Sequence, residues 1–222
     1  IEESPSPIVD DKMRTALGKA AVSGAKEIDY SSAGTIEFLV DADKNFYFME
    51  MNTRIQVEHP VTEMVSGMDT VKEQIKIAAG QKLNIEQRNI KLNGHAIECR
   101  INAQDPEREF VPMPGKINFL HLPGGPGIRV DTHVYAGYLI PPFYDSIIAK
   151  LIAYDKTRLE TIKRMKCALE EIYIDGIKTT VPFHLKVMDN KDFLDGNFST
   201  SFVDNFLSQD LAHKESGEQE AK

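Results

Sequence analysis

Tryptophan is absent from the 222 residues, and cysteine is scarce: only Cys99 and Cys167 occur. Two thiols cannot build a disulfide framework, and so low a count fits a reducing compartment. The sequence therefore points to a cytoplasmic protein, with both cysteines expected to be buried as small hydrophobes. Long apolar runs are missing as well. Nothing is long enough to cross a bilayer and no signal-peptide pattern is present, so no membrane partner is expected. Positive charge is in short supply: 26 Lys and Arg against 34 Asp and Glu leave a net charge of −8, with a pI near 5.3. That balance argues against nucleic acid and anionic membranes as partners. The six histidines lack metal-ligand spacing. The Pro123–Gly127 stretch is glycine-rich, but no Gly-Lys-Ser/Thr follows it. It reads as a structural turn, not a Walker phosphate loop. No internal repeat is visible.

What the chain does have is one unusual stretch, Phe46 to Pro60. It opens as a strand. Glu50, Asn52, Arg54, Gln56 and Glu58 then fall on every second position, with Met51, Thr53, Ile55 and Val57 between them. In extended backbone, alternate side chains share a face. A strand running on through Glu58 would thus line two carboxylates, two amides and a guanidinium along one side. Phe46 and Phe48 share the parity of Glu50, so this face is expected to be apolar first and polar later. An ordinary half-solvated strand has no reason to switch in that way. The polar set contains groups suited to metals, phosphates and carboxylates.

Thr35 to Val40 reads as a second strand, joined through the polar loop Asp41–Asn45 into a β-hairpin. The hairpin sets Glu37 directly opposite Glu50 or one place off. Like charges in such a pair destabilise by up to ~1 kcal/mol, and a divalent cation between them would convert repulsion into binding. Glu37, Glu50 and Asn52 offer hard oxygen ligands and form a candidate Mg²⁺ or Mn²⁺ site. An exposed acidic patch is the competing reading.

Elsewhere, Asp10 to Ala25 reads as a helix capped by Asp10 or Asp11, with Met13, Leu17, Ala20 and Gly24 on one face. A short helix is expected from Pro60 to Gly67. A second, capped by Asp69 and stopped at Gly80, should turn Val71, Ile75 and Ala78 inward. The polar Gln81–Leu92 connection and the Asn93-Gly94 turn mark a domain boundary. His95 to Ala103 alternates again: Ile97, Cys99 and Ile101 face one way. Glu98, Arg100 and Asn102 face the other, as a solvated face with internal ion pairing. Further strands are expected at Ile117–Leu122, Ile128–His133 and Ser146–Tyr154. A helix from Thr157 to Ile172 carries a capping box (Thr157, Glu160) and a core stripe of Ile162, Met165, Leu169 and Ile172. Another runs from Thr180 to Met188. The expected class is α+β, with a mainly antiparallel sheet and flanking helices. Residues 1–92 and 93–207 form two domains, and 208–222 is a polar tail expected to be disordered. The chain opens on Ile1, and Glu2 to Pro7 reads as the exit from an element, so a fragment or processed segment is expected.

The run from Glu50 to Glu63 resembles the signature of the biotin carboxylases, ATP-grasp enzymes of acetyl-CoA carboxylase and of pyruvate and acyl-CoA carboxylases. The resemblance continues through Gly94–Ala103, Tyr135–Tyr138, Pro141–Ser146 and Asp175–Thr179, and covers nearly all of the chain up to Phe206. It implies the carboxy-terminal part of an ATP-grasp domain in 1–92 and a biotin carboxylase C-terminal domain in 93–207.

The resemblance also assigns roles. Glu37 and Glu50 match the carboxylates that hold magnesium or manganese on the ATP phosphates, with Asn52 beside them. Arg54 matches the catalytic arginine that binds bicarbonate, and Gln56 and the backbone at Val57 line the same pocket. Glu58 matches the general base, and Arg100 the residue that contacts the biotin ureido group. The implied reaction is ATP-dependent carboxylation of biotin with bicarbonate through carboxyphosphate. The family's amino-terminal domain, lid and remaining ATP contacts would precede Ile1, so the isolated chain is expected to be inactive. No Ala-Met-Lys-Met attachment motif is present, so biotin is expected on a separate carrier protein, with carboxyltransferase subunits as further partners. The ending resembles a stand-alone subunit. The family commonly forms homodimers through this region, with Arg129 a candidate contact. The rival expectations are another ATP-grasp ligase, such as a carbamoyl-phosphate synthetase, and a non-catalytic assembly fragment.

Overall fold

A computed structural model describes residues 1–208. In chain order the elements are β1 (Glu2–Ser4), α1 (Asp11–Glu27), β2 (Thr35–Val40), β3 (Phe46–Asn52), α2 (His59–Ser66), α3 (Thr70–Ala78), β4 (His95–Asn102), β5 (Gln104–Asp105), β6 (Val111–Pro112), β7 (Gly115–Lys116), β8 (Phe119–His121), β9 (Ile128–Thr132), β10 (Leu139–Ile140), β11 (Ile147–Asp155), α4 (Arg158–Glu171), β12 (Tyr173–Asp175), α5 (Val181–Asp189) and α6 (Lys191–Asp195). Residues 202–208 are helical as well. Apart from Ser208, the expected tail lies outside the described residues.

The chain is α+β. Its main sheet has the order β1-β4-β11-β9, and every neighbouring pair is antiparallel. Ile97, Cys99 and Ile101 of β4 and Leu151 of β11 face a core closed by Ile162, Met165 and Leu169 of α4. These α4 positions recur at helical spacing, and Thr157 caps the helix by accepting from the Glu160 N–H. Gly94, with φ +66°, turns the chain into β4 where an added Cβ would strike the Asp155 carbonyl.

Several expectations need correction. The second face of β4 is not solvated: α2 packs Val61 and Val65 around Ala96, and Glu98 is completely buried. Alternation locates a strand's two faces but not what covers them. The expected Ile117–Leu122 strand shortens to β8, paired with β12, while β7, paired with β10, lies just before it. Between them, Ile117 turns into the core, its N–H donating to the Tyr138 carbonyl. Helix α3 is capped by Asp69 as expected, but Val71, Ile75 and Ala78 face outward. Cys99 is buried, whereas Cys167 is exposed on α4.

Strand β1 has no counterpart among the expected elements. It carries Glu3 into a buried cluster where His95 Nε2 lies 2.7 Å from its carboxylate and Arg158 donates through Nε (2.7 Å) and Nη2 (3.2 Å). Burial pushes the Glu3 carboxyl up, but the hydrogen bonds from His95 and Arg158 leave it below the ordinary carboxylate range. Arg158 also donates to the Phe193 carbonyl and stacks over the Phe193 ring at 5.0 Å. Glu3→Gln would leave Arg158 and His95 without their anion and is expected to cost about 3–5 kcal/mol in urea unfolding. Because the native carboxyl titrates low, this stabilisation is present above the ordinary carboxylate pKa and disappears as pH falls through the lowered value. The wild-type and variant unfolding curves should therefore converge in acid.

Candidate functional site

The hairpin of β2 and β3 pairs Glu37 with Glu50 directly. The register runs Phe38↔Phe48 and then Glu37↔Glu50, leaving Met49 as an extra residue on β3. A bulge of this kind reverses the parity of one strand. Phe46 and Phe48 therefore share the Phe38 face, and both rings stand edge-on to Phe38. Glu50 and Asn52 join Glu37 on the opposite face. The bulge takes Phe46 and Phe48 off the carboxylate face, which carries Leu39 and Tyr47 at its far end instead.

The strand also stops short of the expected row. β3 ends at Asn52, the chain bends at residues 53–54, and α2 begins at His59. Arg54, Gln56 and Glu58 are thus not strand residues. They meet the others through the loop instead. Asn52 Nδ2 donates to Glu37 (2.8 Å) and to Glu50 (3.0 Å), and Gln56 Nε2 donates to the same Glu37 oxygen at 2.5 Å. Arg54 Nη2 lies 3.5 Å from Asn52 Oδ1 and Nη1 donates to the Ile55 carbonyl.

Arg54, Gln56 and Glu58 line one cleft of about 540 Å³. Glu2 and Glu3 of β1 and Ala33-Gly34-Thr35 at the start of β2 complete much of its wall. Arg100, on β4, reaches the site through an ion pair with Glu58 at 3.0 Å and a contact to Glu2 at 2.7 Å. Val57 is held by Lys150 Nζ, which donates to its carbonyl at 3.2 Å. Glu37, Glu50, Asn52, Val57 and Arg100 border this arrangement without lining the cleft itself. No group of three or more His, Cys, Asp or Glu side chains converges on a metal-sized point among the described residues. The Glu37 and Glu50 carboxylates face across the Asn52 amide, which turns its Nδ2 to both and its oxygen towards Arg54. The carboxylate oxygens suit Mg²⁺ or Mn²⁺, and Asn52 would add a third oxygen once its amide turned over.

Residues distant in sequence fix Arg100. Its carbonyl accepts from Thr180 Oγ1 at 3.0 Å and lies 2.9 Å from His184 Nε2. Burial pushes His184 down to about 4, so the ring is neutral near neutral pH. Thr180 Oγ1 also accepts the Asn102 N–H at 3.0 Å. Glu2, Lys150, Thr180 and His184 carry no local motif, and only the fold assembles them. Arg129 is engaged within the chain: Nη1 donates to Glu63 at 2.7 Å, and Nε and Nη2 clasp Asp131 at 2.8 Å.

Residues 98–205 match the model of the biotin carboxylase C-terminal domain, and residues 1–86 match that of the carbamoyl-phosphate synthase L chain ATP-binding domain. Fold and matches together define the class as an ATP-binding region of the ATP-grasp type followed by a biotin carboxylase C-terminal domain. Biotin carboxylase 1 of Bacillus subtilis is 55% identical over 207 residues, covering 93% of this chain and 46% of that protein. A pyruvate carboxylase subunit of Methanothermobacter thermautotrophicus is 54% identical, covering 93% of this chain and 42% of that protein. The biotin carboxylase domain dimer of Hydrogenobacter thermophilus 2-oxoglutarate carboxylase, solved with MgADP, ADP and bicarbonate, superposes with a TM-score of 0.90. It is 50% identical, covering 91% of this chain and 45% of that one. The chain belongs to the biotin carboxylase family and spans about half the length of the curated relatives it matches. No helix among the described residues is long and apolar enough to cross a membrane.

Thr180→Val keeps shape but strips Arg100 of a donor and leaves the Asn102 N–H without an acceptor. It is expected to cost about 1–3 kcal/mol in chemical unfolding. An unchanged midpoint and slope would show that these bonds do not hold the Arg100 strand.

Proposed function

We propose that this chain supplies the bicarbonate and biotin end of a biotin carboxylase site, catalysing ATP-dependent carboxylation of biotin borne on a carrier protein. The observation that carries the reading is the meeting of Arg54, Gln56 and Glu58 on one cleft, with Arg100 3.0 Å from Glu58. In this reading the planar guanidinium of Arg54 orients bicarbonate through paired hydrogen bonds, which a lysine would do less well. Gln56 and the backbone at Val57 border the same anion. Glu58 is the base that takes the bicarbonate proton; a positioned base of this kind is typically worth about 10²–10⁴-fold. The deprotonated oxygen attacks the γ-phosphorus of ATP, giving carboxyphosphate and ADP. Carboxyphosphate yields CO₂ and phosphate, the phosphate takes the proton from ureido N1′, and the resulting enolate captures CO₂. Arg100 exchanges Glu58 for the ureido oxygen and holds the charge that develops there.

Glu37, Glu50 and Asn52 would hold Mg²⁺ or Mn²⁺, which when bound neutralises charge on the ATP phosphates. The proposed partners are a biotin carrier protein, carboxyltransferase subunits and a second copy of the chain, since a structural neighbour is described as a dimer. The acetyl-CoA carboxylase reaction is the favoured context. The pyruvate carboxylase relative supports a pyruvate or acyl-CoA acceptor as the alternative. A non-catalytic assembly role, or a carbamoyl-phosphate synthetase type of reaction, would show no biotin-dependent ATP cleavage.

Arg54→Ala is expected to abolish biotin-dependent ATP cleavage by the intact native protein while leaving its thermal unfolding unchanged; near-wild-type turnover refutes the assignment. Glu50→Gln is expected to remove measurable Mn²⁺ binding in a calorimetric titration. Wild-type Mn²⁺ affinity in that variant would place the metal elsewhere.

A further inference from the structure

Glu98 has no part in the chemistry above, yet it lies directly beneath it. It is completely buried in β4, and neither carboxyl oxygen has a hydrogen-bond partner among the described residues. Its cross-strand neighbours are Glu2 on β1 and Ile152 on β11. Two residues along the same face stands Arg100, in contact with Glu2 and Glu58. Lys150, opposite Arg100 on β11, is directed to the Val57 carbonyl and to Asp131 at 3.5 Å. Helix α2 closes this face with Val61 and Val65. Both nearby cations therefore already have anionic partners. An ionised carboxylate left bare in such a place is costly, so the group keeps its proton. Burial first, and then the charges of Glu2 and Glu58, push the Glu98 carboxyl up to about 8, against the pull of Lys150 and Arg100.

We propose that Glu98 is a positioning residue held as a neutral carboxylic acid, which leaves the Arg100 guanidinium free for Glu58 and for the ureido oxygen of biotin. The second half of this statement rests on the proposed function. Ionised, Glu98 would be a third carboxylate competing for Arg100, and would draw the guanidinium inward, away from the cleft. The proton lost in that ionisation passes to solvent; no bond to substrate is made or broken.

The test uses Glu98→Gln, which mimics the neutral acid in shape, and Glu98→Leu, which removes the polar group. Difference infrared spectra of the intact native protein against Glu98→Gln should show a protonated-carboxyl band at neutral pH that fades as pH rises through about 8. Stability gives an independent readout. The native acid keeps its proton where the unfolded one has lost it, so this group's contribution falls as pH rises from the ordinary carboxylate range to about 8 and is level above it. Relative to wild type, Glu98→Gln and Glu98→Leu should therefore both gain stability across that window. Absence of the band, together with parallel stability curves, overturns the neutral acid whatever the activity. For the positioning role, wild-type biotin-dependent ATP cleavage should fall about tenfold from pH 7 to pH 9 as the acid ionises, mostly through KM for biotin. Glu98→Gln should lack that component. An identical alkaline decline in Glu98→Gln overturns the positioning role. Band and stability shifts without biotin-dependent cleavage in wild type would overturn the proposed reaction alone.

Discussion

The ion pair between Arg100 and Glu58, at 3.0 Å, joins a strand at the centre of the main sheet to the turn that opens α2. Much of the candidate site hangs on that joint. Arg100 also meets Glu2 at 2.7 Å, so one guanidinium connects β1, β4 and the Gln56–Glu58 turn. The same turn is also tied to the sheet by the Lys150 bond to the Val57 carbonyl and by the packing of Val61 and Val65 around Ala96. A planar donor fork suits this work, because it can hold two carboxylates in fixed directions at once.

Behind the joint lies a buried polar layer that keeps it in place. Thr180 and His184 converge on the Arg100 carbonyl, so the backbone at this position is held from the far side of the sheet. Below it, Glu98 sits bare and uncharged at neutral pH. A strand with one apolar face locked into the core and a few polar groups on the other can present a charged side chain without itself moving.

The hairpin is built differently. Leu39, Tyr47, Phe48 and Met49 are exposed there, and Val71 and Ile75 are exposed on α3. Only two strands pair in this part of the chain, whereas β4 has neighbours on both edges and cover on both faces. Within the hairpin, the bulge at Met49 sets the carboxylates on the face opposite the phenylalanines, alongside Leu39 and Tyr47. Glu37 and Glu50 then meet across the Asn52 amide, with the Gln56 amide also donating to Glu37.

Much of this was legible in the residues. Helix caps at Asp10, Asp69 and Thr157, the α4 stripe and the β2–β3 hairpin depend on contacts within a few positions, where local geometry decides. The polar set from Glu50 to Glu58 stood out by its chemistry, and the family resemblance rested on the same residues. What the tertiary structure alone decided was how they meet. A strand ending at Asn52 and a bulge at Met49 replace the single alternating row. The sheet also takes one of its two edge strands from residues 2–4, which nothing in their neighbourhood announces. Glu2, Glu98, Lys150 and Thr180 acquire meaning only through pairings between segments far apart in the chain. Alternation and composition report what a residue can do, whereas burial and partners arise from distant segments that no local pattern encodes.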